Sequence, residues 1–147
     1  MDIIPILKEL TDKQFESLLN ICTKEEFPSY SVIFEEGAQS RDMFILTEGF
    51  LRVIFKGNYV GEIEPVSTVG EMGVFTGETR SAKVVTITKC SLLRIMKNEL
   101  FDLLEKDEDF YIKFQRVMFH DVVHKLRMAN ETIAKQGRYI SKIEKKI

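Results

Sequence analysis

Gly70-Glu71-Met72-Gly73-Val74-Phe75-Thr76-Gly77-Glu78-Thr79-Arg80-Ser81-Ala82 is the stretch on which the reading of this chain turns. Two glycines lie within its first four residues, and Arg80-Ser81-Ala82 follows nine residues after Glu71. Glycines let backbone amides approach a ligand closely. A carboxylate accepts from a sugar hydroxyl, and a planar guanidinium grips two oxygens of one anion. Together these groups suit a small cyclic phosphate ester. A lone Gly-Glu carries no information; the whole spacing does.

Around this stretch the chain reads as strands. Ser31-Val32-Ile33-Phe34, Met43-Phe44-Ile45-Leu46, Phe50-Leu51-Arg52-Val53-Ile54-Phe55 and Lys83-Val84-Val85-Thr86-Ile87 are short β-branched or aromatic runs. Glycine-bearing turns separate them, and Lys56-Gly57-Asn58 suits a hairpin. Many short strands without long helices between them predict an antiparallel sandwich or barrel. Before them, Thr11-Asp12-Lys13-Gln14 has the form of a capping box. Phe15, Leu18, Leu19 and Cys22 follow at helical spacing.

After the strands comes one long helical pattern. Ile112, Phe119, Leu126, Ile133, Ile140 and Ile147 recur every seven residues. Three residues after the first five of these stand Gln115, Val122, Ala129, Gln136 and Ile143, an a/d heptad broken by glutamine at two d positions. Some 38 residues of helix span roughly 57 Å at 1.5 Å per residue. Such a helix outreaches the small domain before it. A homodimer seam is therefore expected along Ile112, Phe119, Val122, Leu126, Ala129, Ile133, Ile140 and Ile143. The expected organisation is residues 1–106 as the strand-rich domain and 107–147 as the dimerisation helix.

The chain has 147 residues and a net charge of −2, so overall charge selects no partner. The distribution is uneven. From Tyr111 onwards nine Lys or Arg face three acids. Without a recognition element, this basic segment reads as the polar face of a coiled coil rather than a nucleic-acid grip. Cys22 and Cys90 match no zinc or redox spacing and suit reduced thiols in the cytoplasm. No secretory or membrane-spanning segment is expected. His120 and His124 stand at i, i+4, but at outward heptad positions with only Asp121 near, so no metal site is expected. No catalytic group is expected either, since Ser81 has no companion histidine in its segment.

The Gly70–Ala82 stretch closely resembles the phosphate-binding cassette of cyclic-nucleotide-binding domains, and the resemblance extends over nearly the whole chain. It implies an α+β fold: a β-roll of jelly-roll (double-stranded β-helix) type, with short N-terminal helices and a long C-terminal helix. Gly37, Gly49 and Gly70 look like the family's strand-turning glycines. By this resemblance Arg80 would hold the exocyclic phosphate oxygens, and Glu71 would accept from the ribose 2′-hydroxyl. Ser81 and the Ala82 amide would add donors, and Gly70 and Met72 would present backbone near the ribose. Val60 and Gly61 would line the base pocket, and Asn130 on the long helix would read the base. Thr79 stands where many relatives have proline, and Val66 where a glycine often stands. Ser81 tilts the implied ligand towards cAMP, with cGMP second. The implied function is a non-catalytic regulatory sensor that shifts its helix and dimer on binding and passes the change to an unnamed downstream protein. The alternatives are a dimeric scaffold with a vestigial pocket and a sensor of c-di-GMP, with Lys83 and Arg127 as weak candidates for its second clamp.

Overall fold

The computed structural model describes residues 8–146. Residues 1–5, read above as lacking a secretory signal, and Ile147, the last a position, lie outside the described residues. The order of elements is α1 (Asp12–Asn20), β1 (Cys22–Phe27), β2 (Val32–Phe34), β3 (Asp42–Glu48), β4 (Leu51–Phe55), β5 (Asn58–Ile63), β6 (Ser67–Val69), α2 (Glu71–Thr76), β7 (Lys83–Thr86), β8 (Cys90–Met96), α3 (Lys97–Glu105) and α4 (Glu108–Lys146). The strands form two four-stranded antiparallel sheets, ordered β1-β8-β3-β6 and β2-β7-β4-β5. This is the expected β-roll between a short N-terminal helix and a long C-terminal one.

The run Met43-Phe44-Ile45-Leu46 explains the layering. It is buried on both faces of β3. Successive side chains of a strand point to opposite faces. Phe44 and Leu46 therefore join Leu51, Val69, Val84, Cys90 and Leu92 between the sheets. Met43 and Ile45 face the helices, with Leu18, Val74, Ile95, Leu100, Leu104, Phe110, Phe114, Val117 and Met118. A strand covered on both sides needs a continuous apolar run rather than alternation.

The capping box forms: Thr11 Oγ1 accepts from the Gln14 amide, and Gln14 Oε1 accepts from the Thr11 amide. Gln14 is buried and also donates to Asp107 and Asp109, which ties α1 to the start of α4. Cys22 was expected on the α1 face. It instead opens β1, because the helix stops at Asn20. Its thiol donates to the Leu18 carbonyl at 3.2 Å, and burial pushes its pKa up to about 11. Only roughly one thiol in a thousand is ionised at pH 8 under such a shift. Alkylation of Cys22 by iodoacetamide at pH 8 should run at least a hundredfold slower in native than in urea-unfolded protein, read by intact-mass spectrometry.

The hairpin turn is Lys56-Gly57, with φ of 49° and 79°. Two positive values in a two-residue loop fit the right-handed twist of the flanking strands. At the other end of the chain, Phe110, Phe114, Val117 and Met118 of α4 are buried. The expected division at 106/107 falls at the break between α3 and α4, yet one core continues across it. The first turns of α4 belong to the domain that they cover. Beyond Lys125, every described residue of α4 is exposed.

Candidate functional site

The parity of β3 and β8 changes character along the strands. The face that carries Phe44 and Leu46 carries Asp42 at its end, and the face that carries Cys90 and Leu92 carries Arg94. The interior thus turns from apolar to charged where the Gly70–Ala82 segment crosses it. Gly70 has φ 78°, which favours glycine, and a Cβ there would collide with the Arg80 guanidinium. At Gly73 a Cβ would strike Ser40, whose hydroxyl donates to the Glu78 carbonyl. These two glycines let the segment fold tightly enough to carry Arg80 inwards. The Arg80 amide donates to the Ala38 carbonyl, and the Gly37 amide donates to the Arg80 carbonyl.

Arg80 is only 4% exposed. Its guanidinium lies 4.1 Å from the Phe34 ring centroid. Nη1 donates to the Gly70 carbonyl at 2.8 Å, and Nη2 donates to the Asp42 carbonyl and to Asp42 Oδ1, both at 2.6 Å. Nε is buried without a hydrogen-bond partner among the described residues. Burial lowers the Arg80 pKa from its ordinary value, and Asp42 opposes the shift. Asp42 is shared. Its Oδ2 lies 3.2 Å from Arg94 Nε, and Arg94 Nη1 pairs with Glu25 at 2.7 Å. Two arginines and two carboxylates, Asp42 and Glu25, thus alternate along one chain of ion pairs that ends on Arg80.

Glu71 is 3% exposed, unusual for a carboxylate. Its Oε1 accepts from Lys125 Nζ of α4 at 2.8 Å. The same ammonium reaches the Thr68 carbonyl at 2.7 Å and Asp121 Oδ2 at 2.8 Å. The Thr68 hydroxyl donates to Asp121 at 2.6 Å. Burial pushes the Glu71 carboxyl above its ordinary range, with Lys125 opposing. Desolvation works against the Asp121 carboxylate too, but Lys125 and the Thr68 hydroxyl outweigh it and hold its pKa low. As pH falls, Glu71 therefore takes up a proton before Asp121.

The structure brings Gly70, Glu71, Met72, Arg80, Ser81 and Ala82 together on one segment. Glu71 and Arg80 point inwards, while Met72 and Ser81 are exposed and Ala82 is half-buried. Val60 is exposed and Gly61 half-buried on β5, an edge strand. Asn130 is exposed and its side chain makes no hydrogen bond among the described residues, so no contact ties it to the cassette. The seam residues Ile112, Phe119, Leu126, Ile133, Ile140 and Ile143 are 49–68% exposed; Ala129 is exposed and Val122 half-buried.

Asp42, Arg94, Lys125, Asp121 and Thr68 were not singled out from the sequence for these roles. Asp121 and Lys125 did carry a signal, the i,i+4 spacing of an ion pair on a helix. Asp42 carried only a weak one, a carboxylate immediately before an apolar strand.

The chain belongs to the cyclic nucleotide-binding domain family, whose model matches residues 24–107. An uncharacterized NTE family protein of Mycobacterium tuberculosis is 28% identical over 103 residues, 69% of this chain and 18% of that protein. The chain therefore spans about a fifth of that curated relative. A cyclic nucleotide-binding domain from Methylobacillus flagellatus superposes with a TM-score of 0.84 at 17% identity, covering 91% of this chain and 82% of that one. The catabolite activator protein of Thermus thermophilus gives 0.70 at 17% identity, covering 90% and 63%. Both structures share the fold. Among the described residues no helix is long and apolar enough to cross a membrane.

Proposed function

We propose that this chain is a non-catalytic sensor domain for a cyclic mononucleotide, cAMP in preference to cGMP, acting in the cytoplasm as a homodimer joined along α4. The observation that carries the reading is Arg80. A buried guanidinium with an unpartnered Nε–H, in the cassette that also buries Glu71, is a donor in need of an acceptor. A cyclic phosphate supplies one, and its ribose supplies the hydroxyl for Glu71. Ser81 favours cAMP through the family resemblance.

The mechanism is a population shift. Binding energy moves α4 only by the difference in affinity between its two positions. The exposed heptad then carries the change to the second subunit, and from there to a downstream protein. A dinucleotide such as c-di-GMP needs a second basic clamp, for which Lys83, in an exposed pair with Glu35 at 3.7 Å, and the exposed Arg127 are the candidates. A scaffold with a vestigial pocket accounts for the paired guanidinium nitrogens of Arg80 but leaves its buried Nε–H without an acceptor.

Calorimetry with cAMP, cGMP and c-di-GMP tests the reading, with micromolar or tighter binding of cAMP expected. No binding of any of the three overturns it. Glu71→Gln should weaken cAMP about tenfold, and the loss should shrink for 2′-deoxy-cAMP. The mutant–analogue cycle measures the coupling. Zero coupling assigns Glu71 to loop structure alone.

A further inference from the structure

Glu71 carries a charge where charge is costly. Its side chain is buried, and burial pushes it towards the neutral acid. Lys125 opposes that from α4, where Nζ donates to Glu71 Oε1 at 2.8 Å. The ammonium is itself pinned, by the Thr68 carbonyl of β6 at 2.7 Å and by Asp121 Oδ2, one turn earlier on α4, at 2.8 Å. Its three protons thus have three acceptors. The Thr68 hydroxyl completes the frame by donating to Asp121 at 2.6 Å. Strand parity sets up the meeting. Val69 turns into the space between the sheets, and Thr68 turns to the other face, where α4 lies. The second oxygen of Glu71 differs from the first: among the described residues no side chain donates to Oε2.

We propose that Lys125 is a positioning residue of the ribose subsite: its ammonium holds Glu71 as a carboxylate by one oxygen and leaves the other for the 2′-hydroxyl, and so sets the preference for a ribose over a 2′-deoxyribose. This deepens the cyclic-nucleotide reading and rests on it. It requires no movement of α4. The two forms of Glu71 differ as acceptors. A carboxylate accepts on both oxygens, whereas the neutral acid has turned one of them into a donor. A hydrogen bond to the ion is also roughly twice as strong as one to the neutral group. The charges that face Glu71 are Lys125 and Asp121 from α4 and Arg80 from its own segment. Lys125 favours the carboxylate and Asp121 disfavours it. Removing the one and removing the other therefore act on Glu71 in opposite directions, which a mere loss of packing does not do.

The test is calorimetry of the full chain with cAMP and 2′-deoxy-cAMP between about pH 5 and 8. Beside it runs a ligand-free titration of the Glu71 carboxyl by carbon-13 NMR, assigned with Glu71→Gln. In wild type, cAMP affinity should fall as pH falls through the titration of Glu71, because proton and hydroxyl compete for one carboxylate. 2′-Deoxy-cAMP should not show that fall. Lys125→Met should move the Glu71 titration and the fall to higher pH. It should also cut the ratio of cAMP to 2′-deoxy-cAMP affinity at least about threefold at neutral pH. Lys125→Arg should restore the ratio. Asp121→Asn, which keeps an oxygen for the Thr68 hydroxyl, should move titration and fall to lower pH, and it decides the matter should Lys125→Met fail to fold. A Lys125→Met variant that loses both nucleotides equally, with the Glu71 titration unmoved, overturns the proposal. So do shifts of the same sign in Lys125→Met and Asp121→Asn. Absence of binding by either nucleotide overturns the sensor reading and the ribose preference together, whereas binding with an unchanged ratio overturns the preference alone.

Discussion

Arg80→Ala should weaken cAMP binding by at least about thirtyfold, by calorimetry. A charge-assisted bidentate pair to a desolvated anion contributes roughly 2–4 kcal/mol, and each 1.4 kcal/mol is about tenfold. The same substitution should lower stability. Arg80 donates to Gly70 and twice to Asp42, and all three acceptors lose their donor. Breaking one side of a buried pair costs about 3–5 kcal/mol, although Arg94 remains to hold Asp42 and softens the loss. Thermal unfolding monitored by circular dichroism separates the two effects. Arg80→Lys keeps the charge but cannot span two oxygens, so it should bind weakly while melting closer to wild type. Equal affinity of Arg80→Ala and wild type would sink the assignment of the cassette.

Leu126→Glu or Ile133→Glu should convert a dimer to a monomer in sedimentation at tens of micromolar. Both side chains are among the most exposed apolar groups of α4. They lie at a positions one heptad apart, on a stretch of helix that no part of its own domain covers. A parallel seam sets each against its copy, so the substitution places two carboxylates face to face in an apolar contact. That costs several kcal/mol of association, since neither charge finds a partner. Glu131, at an exposed position of the same helix, is the natural comparison. Its replacement by Gln should leave the dimer intact. A wild-type monomer at this concentration, with and without cAMP, would refute the homodimer.

What the sequence disclosed and what it withheld divide along the range of the interactions. The capping box at Thr11, the run Met43–Leu46, the turn at Lys56-Gly57 and the heptad of α4 are local patterns, and each was readable within a few residues. The cassette was readable because its glycines, its carboxylate and its arginine lie within thirteen residues of one another. β1 was obscured because Cys22–Phe27 is an edge strand with charges on its open face. α3 went unassigned because Met96 offers no side-chain cap to announce it, although Leu100 and Leu104 stand at helical spacing. The partners of the two key charges were the hardest to see. Asp42 is 38 residues before Arg80, and Lys125 is 54 residues after Glu71. Only the register of β3 and the path of α4 bring them together. Asn130 illustrates the opposite case. Family analogy assigned it to the base, yet it lies beyond the last residue by which α4 touches the roll.

The free length of α4 has a mechanical consequence. From Lys125 to Lys146 the helix runs roughly 32 Å at 1.5 Å per residue, unsupported by its own domain. It is a lever whose last attachment to the roll is the Lys125–Asp121 pair on Thr68 and Glu71. A tilt of about 10° at that attachment sweeps the far end through roughly 5 Å, close to one helical pitch. A displacement of that size is enough to carry one element past another by a full turn. Any tilt at that attachment would be geared up, by helix length alone, to a movement that a neighbouring protein could feel.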